Sequence, residues 1–182
     1  MDRFDEFLQA AITGEYNAIR RYTKYAEIAV KEKLQNVAYL FKALATGERV
    51  HLENHKRAYG KEFSPKDEAF TEGTTLENLK ASVSGETMEY EEMYPRIMKA
   101  LKRGKREDEQ VARLSMQWAR EVEKMHAMIL SKAVDRVEQG QDGIAIKYWV
   151  CNVCGNLRVG DNTGSVCPVC RHDGQFYKEV EI

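Results

Sequence analysis

Four helical stripes in this chain each carry an acidic residue where an apolar one belongs, and two of them add a histidine. Glu48-Arg-Val-His51 and Glu123-Lys-Met-His126 place a glutamate and a histidine three apart, on one side of a helix. Glu15 and Glu86 sit on the apolar faces of two further helical patterns. One glutamate from each of two helices plus Glu-x-x-His from each of two others is the donor set of a carboxylate-bridged di-iron site in a four-helix bundle. Without a cation, so many buried carboxylates would be strongly destabilising.

The stripes define the helices. The first is expected from Phe4 to Val30, with Leu8, Ala11, Ile12, Glu15, Ile19, Tyr22 and Ala26 inward. The second runs from Leu34 to Tyr59 through Val37, Phe41, Leu44, Glu48, His51 and His55, and Gly60 ends it. Residues 60–73 have weak periodicity and read as the long crossover of a ferritin-like bundle. A third helix opens at the capping box Thr74-Thr-Leu-Glu77, with Leu79, Val83, Glu86, Tyr90, Met93 and Ile97 inward. Pro95 should kink it or remove one backbone bond. The charged turn Lys102-Arg-Gly-Lys-Arg106 leads to a fourth helix from Glu107 to Gln139, where Ala119, Glu123, His126 and Leu130 share a face. Helices one and three, and two and four, carry matching roles.

Composition changes after Gly143. The expected division is a bundle at 1–143 and a small β/loop metal domain at 144–182. β-like runs at Ile146–Val150 and Phe176–Val180 flank two knuckles, Cys151-Asn-Val-Cys154 and Cys167-Pro-Val-Cys170, 12 residues apart. They form a tetrahedral S4 site suited to Zn or a single Fe. Gly155 permits a tight turn that aims backbone N–H groups at the sulfurs. All four cysteines lie in this segment, so they read as metal ligands in a reducing compartment. The formal net charge of -1 argues against nucleic acid or an anionic membrane as partner. The start has no apolar core of a signal peptide and no stretch reaches 18 apolar residues, so a cytoplasmic protein is expected.

The order of these modules closely resembles rubrerythrin over nearly the whole chain. The resemblance rests on Gly14-Glu15 with Arg20-Arg21-Tyr22-Thr23, on Glu48-x-x-His51, on Gly85-Glu86-x-x-Glu89 with Met93-Tyr94-Pro95, and on Glu123-x-x-His126 before the cysteines. It implies a mainly α fold: a ferritin-like four-helix bundle followed by a rubredoxin-like domain. It also implies a peroxidase that reduces hydrogen peroxide to water in oxidative-stress defence. Two irons would be held by Glu15, Glu48, His51, Glu86, Glu89, Glu123 and His126. A third, replaceable by Zn, would be held by Cys151, Cys154, Cys167 and Cys170. His51 would ligate one iron when reduced and Glu89 would replace it when oxidised, as a fifth carboxylate and the harder Fe(III) favour. Tyr22 and Tyr94 would hydrogen-bond the iron-ligating glutamates and, with His51 and Glu89, form the catalytic set. Electrons would come from an external donor such as rubredoxin or an NAD(P)H-dependent reductase.

Asn156-Leu157-Arg158 departs from the aromatic that rubredoxin-like modules commonly carry there. Two other readings are open: a di-iron ferroxidase or oxidase using O2, and a non-enzymatic metal protein with a structural Zn ribbon. His55 reads as a residue behind the ligands or on the surface, and His172 as exposed. Cys151 follows His126 by 25 residues, which suggests that the bundle's site is far from its own cysteine module. A head-to-tail homodimer or higher homo-oligomer would bring the two together.

Overall fold

The computed structural model describes residues 3–101, 107–144 and 147–181. Helix α1 (Arg3–Lys31) packs along α2 (Gln35–Tyr59). Helix α3 (Thr75–Met88), a π-helical turn (Glu89–Met93) and α4 (Tyr94–Leu101) together make the third long rod, which packs on α5 (Glu107–Glu138). Contacts between α2 and α5 close the bundle. The expected turn at 102–106 lies outside the described residues. Among the described residues, no helix is long and apolar enough to cross a membrane.

The helix ends follow local chemistry. Gly60 caps α2 in the left-handed conformation, and its N–H bonds Lys56 O. Thr74 and Glu77 form the expected capping box on α3. The crossover at 60–74 has no regular structure, and side chains of α1 hold its backbone. Asn17, fully buried, donates to Lys66 O and accepts from Glu68 N, and Tyr25 donates to Thr71 O.

The inward stripe of the third rod differs from the expected one. An α-helical period puts Tyr90 and Met93 inside, but both are half-buried, while Glu89 and Tyr94 are buried. The five-residue step from Glu89 to Tyr94 is the π turn, in which Tyr94 N–H bonds Glu89 O. The wide turn comes immediately before Pro95, which has no N–H to offer. It keeps Glu86 and Glu89 inside and swings the Tyr94 phenol into the bundle.

The C-terminal domain is a three-stranded antiparallel sheet in the order β2-β1-β3, from β1 (Tyr148–Cys151), β2 (Leu157–Val159) and β3 (Tyr177–Glu179). The start of the expected run at Ile146 lies outside the described residues, and β2 has no counterpart in the sequence reading. The sheet packs against α2 and α5, with Tyr39 edge-on to Tyr148 at 4.9 Å.

Helix α2 has no side-chain cap of its own at Leu34. Asp142, from the turn after α5, supplies it by accepting from Asn36 N at 2.9 Å and Val37 N at 3.2 Å. A carboxylate on the first N–H groups of a helix also complements its dipole. Asp142→Ala is expected to destabilise the protein by about 1–2 kcal/mol, read as a lower urea midpoint with an unchanged slope. An unchanged midpoint would show that the cap is energetically silent.

Candidate metal centres

The bundle residues converge in two overlapping donor sets. Glu15, Glu48, His51 and Glu123 present ligand atoms within 4.8 Å of one another, and so do Glu48, Glu86, Glu123 and His126. Glu48 and Glu123 belong to both, the arrangement of two bridging carboxylates between two positions. All six side chains are buried. His51 Nδ1 lies 2.9 Å from Glu48 Oε2 and 2.8 Å from Glu123 Oε1. His126 Nδ1 lies 2.9 Å from Glu123 Oε2 and 3.2 Å from Glu48 Oε1, yet without hydrogen-bond alignment.

The residues fit a metal pair on their own evidence. Glu15 Oε2, Glu48 Oε1, both Glu123 oxygens and both His126 nitrogens are buried with no hydrogen-bond partner. They lie close to opposite charge but leave their lone pairs unbonded in a dry interior, a demand that ions between them would satisfy. The outer oxygens are held instead. Tyr22 donates to Glu86 Oε1, and Tyr94 donates to Glu15 Oε1. Burial, with the neighbouring carboxylates, pushes both phenols well above their usual range, so they remain donors. Glu89 is buried on the π turn but belongs to neither donor set. The two glutamates of the third rod thus differ: Glu86 is in a set and Glu89 is beside it.

His55 is fully buried, bonded to Ser115 Oγ at 2.7 Å and Tyr94 Oη at 3.2 Å. It therefore lies behind the site and not on the surface. Burial, with His51 nearby, pulls it down to about 3, so it is neutral. A cleft of about 290 Å3 lined by Gly14, Arg21, Gly85, Glu86 and Glu89 reaches the carboxylates from one side. A larger groove of about 540 Å3 beside Lys42, Arg49 and Glu179 does not touch them.

The four cysteines are free thiols and form the other centre. Cys151 Sγ is 3.8 Å from Cys170 Sγ, and Cys154 Sγ is 3.6 Å from Cys167 Sγ. A metal–sulfur bond of about 2.3 Å gives a tetrahedron edge of about 3.8 Å, so the cage fits one ion. Backbone N–H groups of Asn156 and His172 bond Cys154 and Cys170, as the turns require. The departing residues have a role the sequence reading missed. Asn156 and Arg158 donate to Tyr177 Oη, at 2.6 Å and 3.3 Å, and Tyr177 in turn donates to Cys167 Sγ at 3.3 Å. His172 is exposed, against Trp118 and Phe176.

The expectation that the two centres of one chain lie far apart is overturned. His51 Nε2 bonds Cys154 O at 3.1 Å within a single chain. Helix α5 is antiparallel to α2, and the turn capped at Asp142 folds the cysteine module back along both. Two glycines allow the approach. A Cβ on Gly155, whose φ is +82°, would lie 2.5 Å from His51 Nε2, and one on Gly47 would lie 3.0 Å from Gly155 O.

Fold and site together define a carboxylate-bridged di-iron bundle protein carrying a four-cysteine iron module. Comparison with known proteins names the family. The family model Rubrerythrin matches residues 6–134, and the model of the rubrerythrin rubredoxin-like domain matches 149–178. Rubrerythrin-2 of Clostridium acetobutylicum is 30% identical over 91% of this chain and 90% of its own. A putative rubrerythrin of Methanocaldococcus jannaschii is 32% identical over 94% and 89%. The fully reduced, all-ferrous structure of nigerythrin superposes with a TM-score of 0.85 at 26% identity, covering 98% of this chain and 87% of that one. The chain belongs to the rubrerythrin family.

The metal-free site sets a pH dependence. Burial and neighbouring carboxylates push Glu89 up to about 8, and Glu15 and Glu86 well above the carboxylate range. For His126, burial pulls down, but Glu123 and Glu48 outweigh it and hold it at about 9. His51 is raised in the same way. Burial raises Glu48, but His126 and His51 overcome it and hold it low. Every raised group binds more protons folded than unfolded, so its contribution is present below the unfolded pKa and lost towards the folded one. Glu48 acts oppositely only below about pH 4.3, and His55 only below about 6.5, where the three raised glutamates outweigh it. The melting temperature of metal-free protein is therefore expected to fall steadily from about pH 5 to 9. Added Fe(II) should restore it most at the alkaline end. A flat or rising curve without metal would contradict this.

Proposed function

We propose that this chain is a peroxidase that reduces hydrogen peroxide to water at the bundle site, fed with electrons through the cysteine module. One peroxide, two protons and two electrons give two waters. The observation that carries the reading is the His51–Cys154 hydrogen bond. A ferroxidase or storage protein has no need of an electron-entry centre joined to its site, and a structural ribbon has no need to touch a metal donor's imidazole. The iron pair, when bound, supplies the two electrons and polarises the oxygens of the substrate.

In this reading Glu48 and Glu123, common to both donor sets, would be shared by the two ions, with Glu15 and His51 completing the hold on one and Glu86 and His126 on the other. Cys151, Cys154, Cys167 and Cys170 hold the single iron. Glu89 would be a reserve carboxylate, able to take the place of His51 when the ions are oxidised. Its position outside both donor sets, yet buried beside them, suits that role. Tyr22 and Tyr94 fix Glu86 and Glu15 by hydrogen bonds, and Glu15 Oε2 is left without a hydrogen-bond partner. Peroxide enters by the cleft between Gly14 and Gly85, which is narrow and ends at Glu86 and Glu89. His51 is the junction: Nδ1 faces the carboxylates, and Nε2–H donates to Cys154, which fixes its tautomer.

The proposal divides the chain into a bundle at 1–143 and a metal domain at 144–182. It places the protein in the cytoplasm and draws electrons from rubredoxin or an NAD(P)H-dependent reductase. A homodimer or larger homo-oligomer is part of it, although the electron route closes within one chain.

Gly155→Ala tests the route. The added methyl meets the His51 ring on a backbone that disfavours any side chain. Prereduced variant is expected to be oxidised by one charge of peroxide much as the parent is. Sustained peroxide consumption with NADH and a reductase should be largely lost, while the visible bands of the cysteine iron persist. Sustained turnover at the parent rate would show that electrons do not pass through this contact. A parent protein that consumes O2 but not peroxide would give the oxidase reading its place.

A further inference from the structure

Glu89 aside, the two halves of the bundle repeat one another in the six donors and the two phenols that bond them. Glu15, Glu48 and His51 correspond to Glu86, Glu123 and His126, and Tyr94 on Glu15 corresponds to Tyr22 on Glu86. One turn beyond the histidines the correspondence breaks. His55 follows His51 by four residues, and the residue four after His126 is Leu130. Ser115 precedes Glu123 by eight, and the residue eight before Glu48 is Leu40. Leu130 and Leu40 are buried in an apolar cluster, whereas His55 and Ser115 form a buried polar pair.

Donor accounting fixes what that pair does. The single proton of the Tyr94 phenol goes to Glu15 Oε1. The contact between His55 Nε2 and Tyr94 Oη, at 3.2 Å, is therefore donated by His55. The same N–H lies 3.4 Å from Glu15 Oε1. With Nε2 protonated, Nδ1 is an acceptor and takes the Ser115 hydroxyl proton at 2.7 Å. Ser115, His55 and Tyr94 thus donate in series towards one carboxylate oxygen. The other, Oε2, is left buried without a partner and free for an ion. Among the described residues, Glu86 has the phenol but no such backing.

We propose that His55 is a positioning residue that, backed by Ser115, holds Tyr94 and Glu15 and strengthens ion binding at the Glu15–His51 position only. The inference rests on the reading of Glu15 and Glu86 as metal donors. It makes the two positions unequal through residues that touch no ion.

The test is an anaerobic Fe(II) titration of full-length protein with its cysteine site filled, in competition with a chromophoric chelator. The parent is expected to take two further ions. His55→Leu, which copies the other half, should weaken one of them by about ten- to a hundredfold, the range for loss of a group that orients a ligand, and leave the other unchanged. His55→Gln keeps an N–H and should recover most of the loss. Ser115→Ala should weaken the same ion to a smaller degree. The loss should persist in a His126→Ala background and vanish in a His51→Ala background. Equal binding of both ions by His55→Leu and parent would overturn the proposal, and so would equal weakening of both ions by Leu and Gln. If His55→Leu does not fold, a Ser115→Ala isotherm identical to the parent's overturns it instead. A parent that binds fewer than two further ions would bring down the donor reading itself, a separate failure visible before any variant is compared.

Discussion

Five carboxylates and three imidazoles lie in the dry centre of four helices, and the rest of the bundle is arranged to make that tolerable. Each group has a specific answer to its charge. Glu48 lies against two histidines, Glu15 and Glu86 receive phenols, and His55 is kept neutral by its surroundings. Glu123 lies against the same two histidines but without hydrogen-bond alignment, and Glu15 Oε2 and Glu48 Oε1 are likewise left unbonded. That residual demand is what a pair of divalent ions satisfies, since charge buried without a partner is destabilising by several kcal/mol. Metal binding and folding are therefore coupled here, and the protons that leave on metal binding are those held by the buried glutamates and by His51 and His126.

A second constraint follows from the first. The bundle site and the cysteine module meet at one side chain, His51. Its two ring nitrogens face different worlds, one the carboxylates and the other the backbone of a cysteine knuckle. The contact requires two backbones to meet without side chains between them, at Gly47 and Gly155. Gly155 thus serves the knuckle turn and the junction between modules at once. Hydrogen bonds to ligand sulfur tune the potential of such centres. Tyr177, itself held by Asn156, supplies one to Cys167.

Much of this was legible in the sequence because helical periodicity and ligand spacing are local. Glu15, Glu48, His51, Glu86, Glu123 and His126 stood out as polar breaks in apolar stripes, and all six converge. The cysteine cage follows from spacing alone. The π turn was not legible, since one inserted residue changes no pattern until the hydrogen bonds are seen; Tyr90 was therefore placed inward where Tyr94 belongs. The cap supplied by Asp142, the Ser115–His55 pair and the Tyr177–Cys167 bond each join residues far apart in the chain, which no window of sequence reveals. The distance between the centres was misjudged for a related reason. Counting residues along α5 ignores the reversal that carries the module back along α2 and α5.

Anomalous diffraction at the iron edge, from crystals of protein prepared and frozen without air, tests the central claim most directly. The account requires two peaks in the bundle, both flanked by Glu48 and Glu123, with Glu15 and His51 beside one and Glu86 and His126 beside the other, and a third among the four cysteines. A single bundle peak, or none among these side chains, would contradict it.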